Sequence, residues 1–291
     1  MISWDHLFAR ISAGHLVPYL GPGMTAVALD LQKQSAQAAG QSKETDSPVP
    51  SNTKELADFF ARHVALPKRA RGNPWAAAQY IESKRYRQTL DALMDRAFSL
   101  PIAPSPLHFS LAASAPSMIV DTWYDGIMRV ALGCVAGNRW GEVQGTPRTG
   151  VRDFTWYCAY DAQGDAVTMQ NATDWKTVLY KPHGSVSPAH HYLVADSDYV
   201  EVLTELDIQT PIPDIVQKRR TQVGFLFLGC RFDDQMLRSY ARQIMKRSSG
   251  PHYAILPDVE LTRNERRFLD EMQITRLDLP LVGADYVHNL A

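Results

Sequence analysis

Three cysteines in 291 residues set the first limits on what this chain can be. Cys134, Cys158 and Cys230 stand far apart, and no Cys-x-x-Cys pair occurs anywhere. That spacing excludes a zinc ribbon and offers no disulfide framework, so a reducing compartment is expected. Long apolar runs are missing too, and none approaches the ~20 residues needed to span a bilayer. The opening Met1-Ile2-Ser3-Trp4-Asp5-His6 lacks the basic and then apolar segments of an export signal. The expectation is a cytoplasmic protein with no membrane association. Charge of one sign is equally scarce. Lys+Arg number 30 against 31 Asp+Glu, a formal net charge of −1, so no global field draws the chain to nucleic acid. Two basic runs, Lys68-Arg69-Ala70-Arg71 and Lys218-Arg219-Arg220, read as solvated helix ends or loops. There is no internal repeat.

What the chain does contain is a series of short apolar runs that stop at Gly, Thr, Asp or His. Val17-Pro18-Tyr19-Leu20 runs into Gly21, and Met118-Ile119-Val120 runs into Asp121 and Thr122. Val178-Leu179-Tyr180 leads to Lys181-Pro182-His183-Gly184, and residues 223–228 stop at Gly229. Residues 252–256 and 274–279 read as two more strands. Apolarity that is continuous rather than alternating predicts strands buried on both faces, as in a parallel sheet covered by helices. The expected fold class is therefore α/β, a Rossmann-like, mainly parallel sheet with a small helical insertion, in a single domain over residues 1–291. The insertion covers about 26–112. Its residues 31–53, rich in Gln, Ser, Ala and Pro, read as a loop or mobile flap. Helical stripes follow at Leu56, Phe59, Phe60 and Val64, and at Leu90, Leu93, Met94 and Phe98. Trp75, Tyr80 and Tyr86 read as aromatic packing within that subdomain. Residues 136–176 are expected to be irregular, with a β-hairpin over 154–160 that turns at 161–165.

In sheets of this kind ligands bind beyond the carboxyl ends of the strands, which is where the polar and glycine residues fall. Gly21-Pro22-Gly23, directly after a strand, is a candidate phosphate loop. Glycine permits close backbone approach, and the N–H groups of a following helix start favour an anion. Other strand-to-helix turns carry two glycines as well, so the loop alone is a weak signal. His183 reads either as a loop histidine satisfied by backbone or as a functional base. Asp125 reads as a helix cap, a ligand contact, or both. Asp233 and Asp234 read as caps or contacts. His190-His191 suggests metal on paper, but no third ligand stands at a suitable spacing.

Four segments in order carry a resemblance: Leu20-Gly21-Pro22-Gly23-Met24-Thr25, Thr122-Trp123-Tyr124-Asp125, Lys181-Pro182-His183-Gly184-Ser185, and the apolar strand ending Leu228-Gly229-Cys230-Arg231-Phe232-Asp233-Asp234. Together they resemble the SIR2-like superfamily, with its Gly-Ala-Gly loop, Thr-Asn-Tyr-Asp segment, Lys-x-His-Gly segment and Gly-ended strand followed by Asp. Residues 193–199 are similar to the segment that follows the His-Gly in bacterial members. The resemblance implies NAD as cofactor, bound by Gly21, Pro22, Gly23, Met24, Thr25, Thr122, Trp123, Gly184, Gly229 and Asp233. It also implies cleavage to ADP-ribose and nicotinamide, with His183 as base and Asp125 at the nicotinamide-ribose end. For bacterial members it implies service in stress or antiphage defence, with gating by a regulatory partner or by homo-oligomer assembly.

Two departures temper that expectation. Trp123 stands where the family has Asn, and an indole donates one hydrogen bond but accepts none. It would stack on nicotinamide or fill the pocket and block catalysis. The zinc-binding cysteine quartet and a Pro-Asp-Phe-Arg segment are absent from the sequence, which counts against a protein-lysine deacylase. The alternative expectation is a catalytically silent module that binds NAD or ADP-ribose and docks on another protein. A further alternative is a cleft that has drifted to another nucleotide-like ligand.

Overall fold

The computed structural model describes residues 2–38, 40, 49–137, 139–147, 156–205 and 212–282. Its helices are α1 (Trp4–Ser12), α2 (Gly23–Ala38), α3 (Thr53–His63), α4 (Pro74–Arg85), α5 (Arg87–Phe98), α6 (Pro106–Ala113), α7 (Ile127–Val135), α8 (Asp196–Glu205), α9 (Asp214–Arg219), α10 (Gln235–Ile244) and α11 (Arg263–Glu271). The strands are β1 (Leu16–Leu20), β2 (Met118–Asp121), β3 (Trp140–Gly145), β4 (Tyr157–Asp161), β5 (Ala166–Val167), β6 (Thr177–Lys181), β7 (Gly184–Ser185), β8 (His191–Tyr192), β9 (Gly224–Leu228), β10 (His252–Ile255) and β11 (Ile274–Arg276). One nine-stranded sheet runs β11-β10-β9-β1-β2-β6-β3-β4-β5. All its pairings are parallel except β3–β4 and β4–β5. This is the Rossmann-like α/β class read from the sequence.

Alternate side chains of each central strand enter different cores. Val17 and Tyr19, Met118 and Val120, Val178 and Tyr180, and Phe225 and Phe227 join the core that holds the helices from α3 to α5. Leu16 and Leu20, Ile119, Leu179, Leu226 and Leu228 join the core built with α1, α6 and α7. A strand with partners on both faces has no reason to alternate apolar with polar residues, which accounts for the continuous runs. Pro18, which has no N–H to donate, lies just before β1 begins to pair with β2 at Tyr19 and Val120.

Several expectations change. The expected flap over 31–53 is helical through Ala38, because α2 continues past its buried first turns on exposed Gln and Ser residues. Residues 41–48 lie outside the described residues. The stretch 136–176 does hold the hairpin, as β4 and β5, with the part before Trp156 outside the described residues. It also holds β3, a fully buried strand that joins β6 in parallel. The sequence Trp140-Gly141-Glu142-Val143-Gln144-Gly145 hides this because its polar side chains find partners that only folding brings to them. Glu142 accepts from Arg129 at 2.7 Å, and Gln144 donates to Glu142 at 2.7 Å. Gly141 lies flat against Trp175, where a Cβ would stand 2.2 Å from the indole.

Tyr86 is not packing at all. It is 81% exposed, at the corner between α4 and α5, whereas Trp75 is buried against Tyr199. In the run 218–220, Lys218 is a solvated helix end as expected, while the two arginines are not. Arg219 donates to carbonyls of Ser117, Lys176 and Trp175, and the buried Arg220 to those of Gln243 and Ile244. The helical insertion is tied to the segment after β8 by Arg87. Its guanidinium meets Asp198 at 3.0 Å, Asp91 at 2.9 Å and the Tyr192 carbonyl.

Candidate functional site at the strand ends

The register sets Leu20 level with Leu228 on one side and Asp121 on the other, with Lys181 one strand further. The loops after β9, β1, β2 and β6 therefore leave the sheet side by side. Strand order reverses beside β1, where sheets of this kind form a crevice.

The glycines serve loop against loop. Gly21 and Gly23 press on Gly229 and Cys230, so a Cβ on Gly23 would stand 2.6 Å from the Gly229 carbonyl oxygen. Gly229 has φ +62°, and its own Cβ would stand 2.7 Å from the Met24 nitrogen. The amides of the loop already have acceptors. Gly23 N–H donates to the Gly229 carbonyl at 2.9 Å, Met24 N–H to Gly21 at 3.1 Å, and Thr25 N–H to Pro22 at 3.0 Å. An anion at this helix start would share these donors with the loop's own turn.

The second loop is equally well bonded. Thr122 donates from Oγ1 to the Leu20 carbonyl at 2.8 Å. Asp125 is buried, accepting Thr25 Oγ1–H at 2.5 Å and Ile127 N–H at 2.9 Å. It thus takes the first N–H of α7 from the residue before the Gly126 cap and ties the loop after β1 to the loop after β2. Trp123 is only 2% exposed. Its indole N–H donates to the Pro50 carbonyl at 2.8 Å, and its ring packs on Phe98 and Tyr124.

His183 differs from its neighbours. It is 1% exposed, and Nδ1 lies 3.0 Å from the Thr122 carbonyl oxygen. A carbonyl only accepts, so Nδ1 carries the proton and Nε2 presents a lone pair. That Nε2 is buried and has no hydrogen-bond partner among the described residues. Tyr240 and Tyr199 stand edge-on to the ring at 4.6 and 5.3 Å. Burial holds the imidazole neutral, lowering its pKa to about 4, with the Lys181 charge adding to the effect. Gly184 follows at φ +77°, where a Cβ would stand 2.0 Å from the His191 carbonyl oxygen.

The lowered pKa has a consequence for stability. The unfolded ring titrates near 6.5 and the folded one near 4, so between those values the unfolded chain binds more protons. Stability from this residue is present above pH 6.5 and is lost as pH falls toward 4, on the order of 3 kcal/mol in all. Buried Asp121, raised to about 6, acts in the opposite sense. It is common to wild type and His183→Gln, so it drops out of their difference. Urea unfolding of both proteins is expected to show the wild-type advantage shrinking across that window.

Asp233 lies apart from this centre. It is exposed and accepts the N–H of Asp234, and Asp234 caps α10 through Met236 N–H at 2.7 Å. His190 pairs with Asp95 at 2.7 Å. Among the described residues no group of three His, Cys, Asp or Glu could hold a metal ion, and no helix is long and apolar enough to cross a membrane.

The structure adds residues that the sequence reading left without a role. Lys181 and Asp121 form a buried pair at 2.8 Å. Ser185 donates to the Tyr124 and Asp125 carbonyls at 3.3 and 3.2 Å. His108, buried beside its capping partner Ser105, is held neutral by burial against the opposing pull of the Asp125 charge. The Ser-x-x-His spacing at 105–108 was the available signal for His108. A charge ending an apolar run was the signal for Asp121.

A parallel sheet with glycine-tight strand ends, a tethered aspartate and a buried neutral histidine defines a Rossmann-like protein with its candidate site at the carboxyl edge. A protein-family model for the SIR2-like domain matches residues 117–277. That is more than half of the chain, and the chain belongs to the SIR2-like family. No curated protein matches it. The family generally binds NAD, so the function is NAD-related in broad terms.

Proposed function

We propose that this protein binds NAD at the carboxyl ends of β1, β2, β6 and β9 and hydrolyses its nicotinamide–ribose bond. The observation that carries the reading is the His183 Nε2 lone pair, buried, without a partner among the described residues, and held in one tautomer by the Thr122 carbonyl. Such an atom costs free energy to bury and is suited to accept a proton. In the reaction, a water oxygen bonds to the ribose carbon. The bonding pair of the nicotinamide link leaves with nicotinamide, and a water proton passes to Nε2. Gly21, Pro22, Gly23, Met24 and Thr25 would line the phosphates, with Thr122, Gly184 and Gly229 completing the wall. Asp125 acts by fixing Thr25 to the second loop. Asp233, being exposed, would contribute only at the rim. Service in bacterial stress or defence, with an assembly or protein partner as trigger, belongs to the same reading. Purified protein incubated with NAD should release nicotinamide, read by chromatography, with binding measured in parallel.

One observation favours a second reading, a silent module that senses NAD or ADP-ribose. Trp123 fills space beside Tyr124, and its only donor is spent on Pro50. Under this reading NAD binds without turnover. Trp123→Asn then opens the pocket and introduces nicotinamide release, while lowering stability by about 3–5 kcal/mol through loss of a buried ring. A variant that binds NAD yet releases no nicotinamide would count against Trp123 as the block.

A further inference from the structure

Lys181 and Asp121 are the last residues of neighbouring strands β6 and β2, and both are buried. A buried ion pair is weak support for stability, because desolvation offsets most of the attraction. Its contacts suggest a different use. The Lys181 ammonium donates to Asp121 Oδ2 at 2.8 Å and also to the Asp125 carbonyl at 2.7 Å. Asp121 Oδ1 accepts the Trp123 N–H at 3.1 Å. The pair therefore grips the backbone of the 122–125 loop at two points. Between its grips and those of Ser185 and Val186 N–H, which takes the Tyr124 carbonyl at 2.9 Å, the loop backbone is fixed at nearly every residue. The Thr122 carbonyl of the same loop is the one that receives His183 Nδ1.

We infer that Lys181 and Asp121 are positioning residues for His183: they hold the 122–125 loop so that the Thr122 carbonyl fixes the ring with its Nε2 lone pair presented. The same ammonium opposes a proton on the ring, which also favours the neutral form. The pair touches no reacting atom, and its link to turnover rests on His183 being the base, as proposed above. The ring's tautomer does not depend on that assignment.

The test is nitrogen-15 NMR of histidine-labelled protein, with the His183 signals assigned by their loss in His183→Gln. Wild type should give one neutral tautomer, with the proton on Nδ1. The Asp121→Asn/Lys181→Met double variant removes both charges of the pair together, so neither partner is left charged without the other, and keeps an acceptor for the Trp123 N–H. It should melt cooperatively yet show His183 averaged between tautomers. Asp121→Asn/Lys181→Gln, which returns a shorter amide donor, should show a smaller shift and carries the test alone if the methionine variant fails to fold. A folded variant of either kind with the wild-type tautomer overturns the inference. Altered tautomer in the variants, with no NAD turnover by wild type, leaves the positioning role standing and removes His183 as base. His183-dependent turnover with an unaltered ring in the variants removes the positioning role alone.

Discussion

Replacing His183 by alanine is expected to lower nicotinamide release by about 10²–10⁴-fold while leaving NAD affinity within a few-fold of wild type. The size is that of removing a positioned general base. The asymmetry follows from the geometry. The only atom of His183 available to a reacting group is Nε2, while its Nδ1 serves the Thr122 carbonyl within the protein. Loss of the ring deletes the proton acceptor without disturbing the glycine-lined wall. Truncation also leaves a cavity beneath Tyr240 and Tyr199, so part of any activity loss could reflect loosened packing. His183→Gln, which keeps a donor toward Thr122 and fills more of that space, separates the two effects. Both variants should be equally inactive, and the glutamine form should be the more stable. Steady-state turnover with product analysis reads the first quantity and calorimetric titration the second.

Gly229→Ala is expected to force apart the two loops that meet at the candidate site. The position combines φ +62° with a Cβ 2.7 Å from the Met24 backbone nitrogen. Backbone cannot give way as a flexible side chain can, so the loops after β1 and β9 must part. Strain in the left-handed region and overpacking together cost about 2–4 kcal/mol, a fall in Tm of roughly 5–10 °C. Because Gly23 N–H donates to the Gly229 carbonyl, the same change displaces the turn that would line the phosphates. NAD binding should be lost along with stability. A thermal melt checks the first part and a binding titration of the folded variant checks the second. Gly14→Ala is the control for a residue at φ +76° with nothing near its Cβ, and it should cost only the conformational part.

The sheet was legible because its central strands are buried on both faces and announce themselves as unbroken apolar runs. The strand ends were legible for the same reason, since Gly21, Asp121, Lys181 and Gly229 interrupt those runs. β3 was not, because Glu142 and Gln144 find their partners in Arg129 and each other, contacts that arise only after folding. The buried Arg219 and Arg220 were missed on similar grounds. A basic run reads as solvated unless the carbonyls that receive it are known, and these come from residues 23 to 102 positions away. The glycine loop illustrates a third kind of gap. Its composition fits a phosphate cradle, but the spacing of Gly21, Gly23 and Gly229 is first explained by the close approach of two loops. The sequence likewise named Trp123 as a departure, while its fate, an indole turned toward Pro50, required the chain tracing from the helical insertion.

The central claim is that NAD is the ligand of this strand-end site, and the most direct measurement is a calorimetric titration of the purified protein with NAD and with ADP-ribose. The account predicts saturable one-site binding of NAD at or below the millimolar range, lost in Gly229→Ala and retained in His183→Ala. Absence of binding by either nucleotide at millimolar concentration, with the wild-type protein folded, would contradict it.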